Sequence, residues 1–296
     1  MRDTGWYHLV ATNAVGSTTS AVVFVSVVVN PAAVVAWGSN FYGQNAIPSG
    51  LTSVIDVELA SAYSLVLKGD GTLAEWGSNT VGGMGIPAGL NDVVAISAAS
   101  NHNLALKSDG SLVAWGGQLG QTTIPAELSG VVAVAAGGSH NLVLKSDGTV
   151  QAWGSTTYGQ TAVPAGLTGV VGIAAGFAHS LALKNDGTVV GWGAAGYDYG
   201  QAAIPAGLTN VVDIAAGVQH SLALKADGTV VAWGVNGNAT TIPAGLANVV
   251  AISTSHGHNL AIKADGTLVA WGSNNEGESL VPSGTTGVAG AAAGYF

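Results

Sequence analysis

The chain has no cysteine, seven basic residues among 296, and no apolar stretch long enough to cross a bilayer. Without cysteine there is no disulfide framework and no thiolate metal site. The longest apolar run, residues 21–29, is about half of the roughly 20 residues a membrane helix requires. Met1 is followed by polar residues rather than an apolar segment, so no signal peptide is visible. Charged residues make up 8% of the chain and the net charge is −9. Nucleic-acid binding draws on clustered basic groups that displace counterions from phosphates. Here six lysines (Lys68, Lys107, Lys145, Lys184, Lys225 and Lys263) are spread evenly along the sequence, and Arg2 is the seventh cation. The expected partner is another protein, with no nucleic acid, no membrane insertion and no cofactor, and the chain is expected to be monomeric.

What the sequence does have is a repeat. Trp-Gly recurs at Trp37, Trp76, Trp115, Trp153, Trp192, Trp233 and Trp271, every 38 to 41 residues. Asp-Gly precedes the last six of these, at Asp70, Asp109, Asp147, Asp186, Asp227 and Asp265. Seven residues before the aspartate stand His102, His140, His179, His220 and His258, with Tyr63 in the first copy. A proline follows each Trp-Gly, from Pro48 to Pro282. A period of this length means a repeat architecture.

Each copy reads as strands. In residues 131–164, "VVAVAAG" is a small apolar run suited to a doubly buried strand, and "HNLVLK" and "TVQAWG" alternate. The intervening "SDG" is a turn, because Asp-Gly tolerates positive φ. Three or four antiparallel strands in about 39 residues make a propeller blade. The tryptophan is placed to wedge between blades, where burying about 200 Å² contributes at most about 5 kcal/mol.

Both ends are interrupted copies, "VVAWGSN" at residues 34–40 and "GVAGAAAGYF" at 287–296. A solenoid would have capping repeats instead. The expected fold is therefore all-β, a seven-bladed β-propeller over residues 31–296, closed by joining N- and C-terminal strands. The closing copy lacks its second strand, and ungapped alignment lays Val22–Val29 on that position, paired with Val34–Trp37. Residues 1–30 read as strand, Asn-Ala-Val-Gly turn, strand. Asp3, Gly5 and Tyr7 resemble the tyrosine corner of an immunoglobulin-like sandwich. That likeness implies a partial immunoglobulin-like hairpin or linker strand, and a chain cut from a longer protein.

"HSLALKNDGTVVGWG" (His179–Gly193) and "HSLALKADGTVVAWG" (His220–Gly234) resemble the regulator of chromosome condensation repeat, a seven-bladed propeller family. The linker "GQTTIPAELSGVVAVAAG" and the final "AAGYF" are similar to bacterial members. These include propeller-type β-lactamase inhibitors and repeats joined to immunoglobulin-like modules of surface proteins. The resemblance implies an extracellular or cell-surface location. It does not carry nucleotide exchange or chromatin docking with it, because the inserted elements and basic tails that serve them are missing.

A catalytic residue is needed once per site, whereas the His, Asp-Gly and Trp recur five, six and seven times. They read as scaffold: the histidine bonds backbone between strands, Asp-Gly turns, tryptophan packs. Function then belongs where the repeat varies, just before the histidine and just after Trp-Gly. The candidate binding residues there are Phe41, Tyr42, Tyr158, Phe177, Tyr197, Asp198, Tyr199, His256, Tyr295 and Phe296. Aromatic side chains on loops of a rigid scaffold are typical interface anchors. The reading is a non-catalytic protein-interaction scaffold, with an inhibitor of a secreted enzyme such as a β-lactamase as the alternative. An enzyme reading would pair Glu58 with Glu75 as glycosidase carboxylates, two strands or about 9.6 Å apart. No sugar-stacking cluster accompanies them. His256, His258 and the Glu276/Glu278 loop lack a third fixed metal ligand.

Overall fold

A computed structural model describes residues 34–117, 120–235 and 237–294, and the backbone of Thr4–Tyr7, Val10–Asn13, Gly16–Thr19 and Val23–Ser26. Six antiparallel sheets of three strands follow one another along the chain, at residues 54–77, 93–116, 131–154, 170–193, 211–234 and 249–272. In each, the strand order in space is the order in sequence.

The sheet at 131–154 shows how the residues dictate this. Its inner strand Val131–Ala136 pairs with the middle strand His140–Lys145, which pairs with the outer strand Val150–Gly154. The middle strand is buried along almost its whole length, so leucines and a valine fill it. The Asp147-Gly148 hairpin follows, with Gly148 at φ 76°. Every inner strand slips register at its second residue, as between Val131 and Ala133. Such a bulge turns one side chain away from the ladder, and Val212 and Val250 at this position are over half exposed. The residue that launches each inner strand is left-handed: Ser53, Asp92, Gly130, Gly169, Asn210 and Asn248 all have φ between 56° and 69°. Glycine and small polar residues tolerate that conformation best.

The core lies between sheets, in five layers. Leu104 and Leu106 of one sheet pack on Val131, Val143 and Trp153 of the next. The same arrangement joins each later neighbour, and the first sheet to the second. The tryptophans are the wedges expected of them. The indoles of Trp76, Trp153, Trp192, Trp233 and Trp271 donate to the carbonyls of Gln44, Gln121, Gln160, Gln201 and Ala239, in the loop before each sheet.

Residues 34–37 and 287–294 form no strand ladder. Still, the Trp37 indole donates to the Glu278 carbonyl at 3.0 Å, as its counterparts do. Val288 N–H donates to the Gly266 carbonyl, as Val249 N–H does to that of Gly228. Ala293 N–H donates to Ser253 Oγ, as Ala136 N–H does to Ser97 Oγ. The pairing expected between Val22–Val29 and Val34–Trp37 is replaced by another. Val23–Ser26 pairs with Thr4–Tyr7, outside the Val10–Asn13/Gly16–Thr19 hairpin. That local ladder closes a short loop, at lower entropic cost than a long one. The residues of the expected Asn-Ala-Val-Gly turn at 14 and 15, and Val22 and Val27–Val29, lie outside the described residues.

Candidate functional site

The two ends of the sheets differ in kind. At one end stand the six Asp-Gly turns. In each, the aspartate carboxylate accepts from the main-chain N–H and hydroxyl two residues on; Asp147 does so with Thr149 at 2.9 and 2.6 Å. These bonds hold the carboxyl groups below their usual range, to about 2 at Asp186, Asp227 and Asp265. Lysines pair with the turn aspartates at Lys68, Lys184, Lys225 and Lys263, at 3.0–3.5 Å and largely in solvent.

At the other end lie both variable loop sets. Backbone bonds tie them together: Ser155 N–H to the Ser139 carbonyl, Ala194 to Ala178, Val235 to Gln219. Four of the candidate aromatics meet there. The Tyr197 ring lies 5.7 Å from Tyr158, 5.5 Å from Phe177 and 5.2 Å from Tyr199 between centroids. These edge and tilted contacts are the favoured geometries for aromatic pairs. Gln219 Nε2 donates to the Tyr197 hydroxyl. Phe177 also lines the mouth of the axial channel. Asp198 is exposed and fixes its own loop by accepting from Gly200 N–H. Phe41 and Tyr42 form a separate exposed pair, 4.9 Å apart, and His256 is exposed in the loop before His258. Tyr295 and Phe296 lie outside the described residues.

One functional row escaped the sequence reading. Gln44, Gln160 and Gln201 are buried, and their side-chain oxygens accept from the N–H of Tyr42, Tyr158 and Tyr199. Glu278 does the same for Glu276. Each glutamine thus stiffens the loop carrying an aromatic. The signal was the recurring Tyr-Gly-Gln at residues 42–44, 158–160 and 199–201.

The repeat histidines are scaffold, with a different partner from the expected backbone. His102 Nε2 meets Asn141 Oδ1, His140 meets Ser180 Oγ, His179 meets Ser221 Oγ and His220 meets Asn259 Oδ1, all at 2.8–2.9 Å. Tyr63 donates likewise to Asn103. Each Asn or Ser then donates to the loop carbonyl beneath it, the one the tryptophan also uses in four of these sheets. Because the Asn Oδ1 can only accept, the imidazole donates from Nε2, and the buried Nδ1, with no acceptor among the described residues to take a second N–H, leaves the ring neutral. Burial keeps it so, holding His102 down at about 4 and His140 and His179 at about 3. Gly137 makes room: a Cβ there would fall 2.3 Å from His140 Cε1.

An axial channel of ≈ 350 Å³ is walled by the six inner strands and residues 291–293. Asp56 and Glu58 line it. Part of each residue reaches the channel, yet the walls exclude enough water that burial dominates. Asp56 is pushed up to about 7, and Glu58 is raised by burial and by Asp56 beside it. Asp213, at the repeat position of Asp56, is raised by burial to about 6. Glu58 and Glu75 stand opposite Leu65 from either side. One oxygen of the Glu75 carboxylate, Oε1, accepts from Gly85 and Ile86 N–H at 2.8 and 3.2 Å. Among the described residues no group of three or more His, Asp or Glu could hold a metal, and no helix is long and apolar enough to cross a membrane.

The Regulator of chromosome condensation (RCC1) repeat matches residues 93–118, 131–160, 170–201, 211–239 and 249–278. No curated protein matches the sequence. Among solved structures, that of Kap60 bound to yeast RCC1 (Prp20) matches with a TM-score of 0.71 and 21% identity, over 85% of this chain and 81% of that one. Prp20p from Saccharomyces cerevisiae, described with its binding to Gsp1p and histones, matches with a TM-score of 0.70 and 21% identity, over 85% and 84%. The CRINKLY WD40 ectodomain of the Arabidopsis thaliana receptor kinase ACR4 matches with a TM-score of 0.63 and 20% identity, over 77% and 82%. Likenesses at this identity show the fold, a β-propeller, and leave function to the site.

Proposed function

Since the chain belongs to the regulator of chromosome condensation repeat family, we propose that it is a non-catalytic propeller that binds another protein through its variable-loop face. The observation that carries this is the cluster of Tyr158, Phe177, Tyr197 and Tyr199. It stands on loops stiffened by Gln160 and Gln201, so ordering it on binding costs little entropy. The propeller has seven blades, the seventh built from residues 288–294 inside and 34–37 outside. The bonds of Trp37, Val288 and Ala293 support that reading, since each repeats a bond found between complete blades. The setting is a secreted or surface protein of a bacterium, with residues 1–30 a partial immunoglobulin-like hairpin.

The test is affinity capture from a secreted proteome, comparing the chain with a Phe177→Ala/Tyr197→Ala/Tyr199→Ala variant of unchanged melting temperature. Partners enriched by the first and lost by the second are expected. Equal recovery would remove this face from consideration. A nitrocefin assay with a panel of β-lactamases checks the inhibitor reading, which requires the same three aromatics.

A further inference from the structure

Charge is divided unequally between the two ends of the sheets. All six lysines belong to the turn end, each beside its turn aspartate. Four pair with it directly, and Lys107 and Lys145 act on Asp109 and Asp147 electrostatically. Arg2, the seventh cation, lies outside the described residues. The loop end has carboxylates instead. Asp198, Glu276 and Glu278 stand on its loops, and Glu75 bonds the N–H groups of another. Among the described residues no lysine or arginine stands at this end to balance them. A partner that approaches it meets aromatic rings and uncompensated negative charge.

The aromatic cluster and one of these carboxylates are built as a unit. Asp198 stands between Tyr197 and Tyr199 in the longest loop of its set. Buried Gln201 holds both neighbours: its Nε2 donates to the Tyr197 carbonyl at 2.7 Å, and its Oε1 accepts from Tyr199 N–H at 2.6 Å. Tyr197 N–H donates to the Ala194 carbonyl, and Ala195 N–H to that of Tyr158, which ties the loop to its neighbour. Asp198 Oδ1 accepts from Gly200 N–H at 2.8 Å, and Oδ2 has no partner among the described residues. Tyr199 is 44% exposed, with Asp198 exposed beside it. Ring surface and a carboxylate oxygen are thus presented together, on backbone already fixed.

We propose that this loop is a receptor for an arginine side chain carried by the partner protein. The guanidinium plane lies against the exposed Tyr199 ring, beside Tyr197, and its edge donates to Asp198 Oδ2. The inference deepens the loop-face reading above and rests on it. A guanidinium can stack and donate at once, because its flat face lies on a ring while its N–H groups point outward in the plane. A lysine ammonium is a compact, strongly hydrated charge with no plane to stack. An acidic partner surface is repelled from the same loops. The uncompensated charge of the loop end also speeds encounter with a cationic partner, an effect that salt screens.

The probe is a fluorescein-labelled Gly-Arg-Gly-Arg-Gly-Arg peptide, titrated into the full 296-residue chain by anisotropy. Saturable binding is expected, weaker when lysine replaces arginine and absent when citrulline, its neutral isostere, does. Phe177→Ala/Tyr197→Ala/Tyr199→Ala leaves the net charge untouched and should weaken binding about tenfold, the scale of two exposed cation–π contacts. Tyr199→Ala alone, at an exposed position, should weaken it about threefold, as should Asp198→Asn. Asp92→Asn removes the same charge at the turn end, where Asn210 and Asn248 already occupy the repeat position, and should leave binding within error. The proposal is overturned if the citrulline or lysine peptide binds as well as the arginine one, or if the aromatic variants bind normally. It is equally overturned if Asp92→Asn weakens binding as much as Asp198→Asn, since the peptide would then be answering an acidic protein at large. If natural partners are still captured through Phe177, Tyr197 and Tyr199 when one of these results is found, the loop face stands and only the arginine falls.

Discussion

Two kinds of boundary separate the sheets described, and they share almost the same residues. Between complete blades, such as 93–116 and 131–154, leucines, a tryptophan and a buried histidine close a dry layer. Between 249–272 and 54–77, the Trp37 indole bond and the bonds of Val288 and Ala293 are made, but the space beside them is open. The difference teaches that the middle strand, rather than the wedge or the axial strand, supplies the burial. Without it Trp37 remains half-buried beside its intact hydrogen bond.

The severest way to break the closed boundaries is acid. His102, His140 and His179 have folded pKa values of about 3 to 4, against an ordinary 6.5. Between those values the unfolded chain binds more protons, so stability rises with pH and is lost as pH falls from about 6.5 toward 4. Asp56 and Asp213, raised to about 7 and 6, act in the opposite sense. Their contribution is greatest below the ordinary carboxylate range and is lost as pH climbs through 6 to 7. Urea titrations from pH 4 to 8 should show a steep acid limb. Asp56→Asn should remove part of the decline near neutrality and steepen the acid limb, because Asp56 opposes the histidines between about pH 4 and 7.

Next in size is Trp153→Ala, which should cost about 3–5 kcal/mol, the usual range for a buried aromatic. Trp37→Ala at the open boundary should cost clearly less by the same measurement, and equal costs would erase the distinction between the boundaries. His140→Ala leaves Ser180 without its donor, and about 1–3 kcal/mol of stability should go with it. His258→Ala should cost less, because no described side chain answers it across the open space. The smallest effect belongs to the turn end: Lys225→Ala removes an exposed pair with Asp227 and should leave the melting temperature within error.

Much of this fold could be read from the sequence because its determinants are local and repeated. Alternation gave the strands, Asp-Gly gave the hairpins and the tryptophan gave the wedge. The histidine partners were not legible, because Asn141 and Ser180 lie about 40 residues on, across a boundary that exists only once sheets stack. Val23–Ser26 was misplaced because an apolar run states that it will pair without stating with what. In the candidate site, the aromatic loops were visible as departures from the repeat. That Tyr158, Phe177, Tyr197 and Tyr199 would gather while Phe41 and Tyr42 stood apart depended on neighbouring loops from different blades. The bracing glutamines were spelled out in the text, but their meaning required knowing that they point inward.

The bond from the Trp37 indole to the Glu278 carbonyl spans 241 residues of chain. Every other wedge bond spans 32. Contacts so distant in sequence form slowly, because a long loop has to be ordered first. The sheets can therefore zip up one by one from any starting point, while this clasp fastens last. Under denaturant or pulling force it is also the clasp that gives way first, so the molecule should open at a fixed place rather than at random.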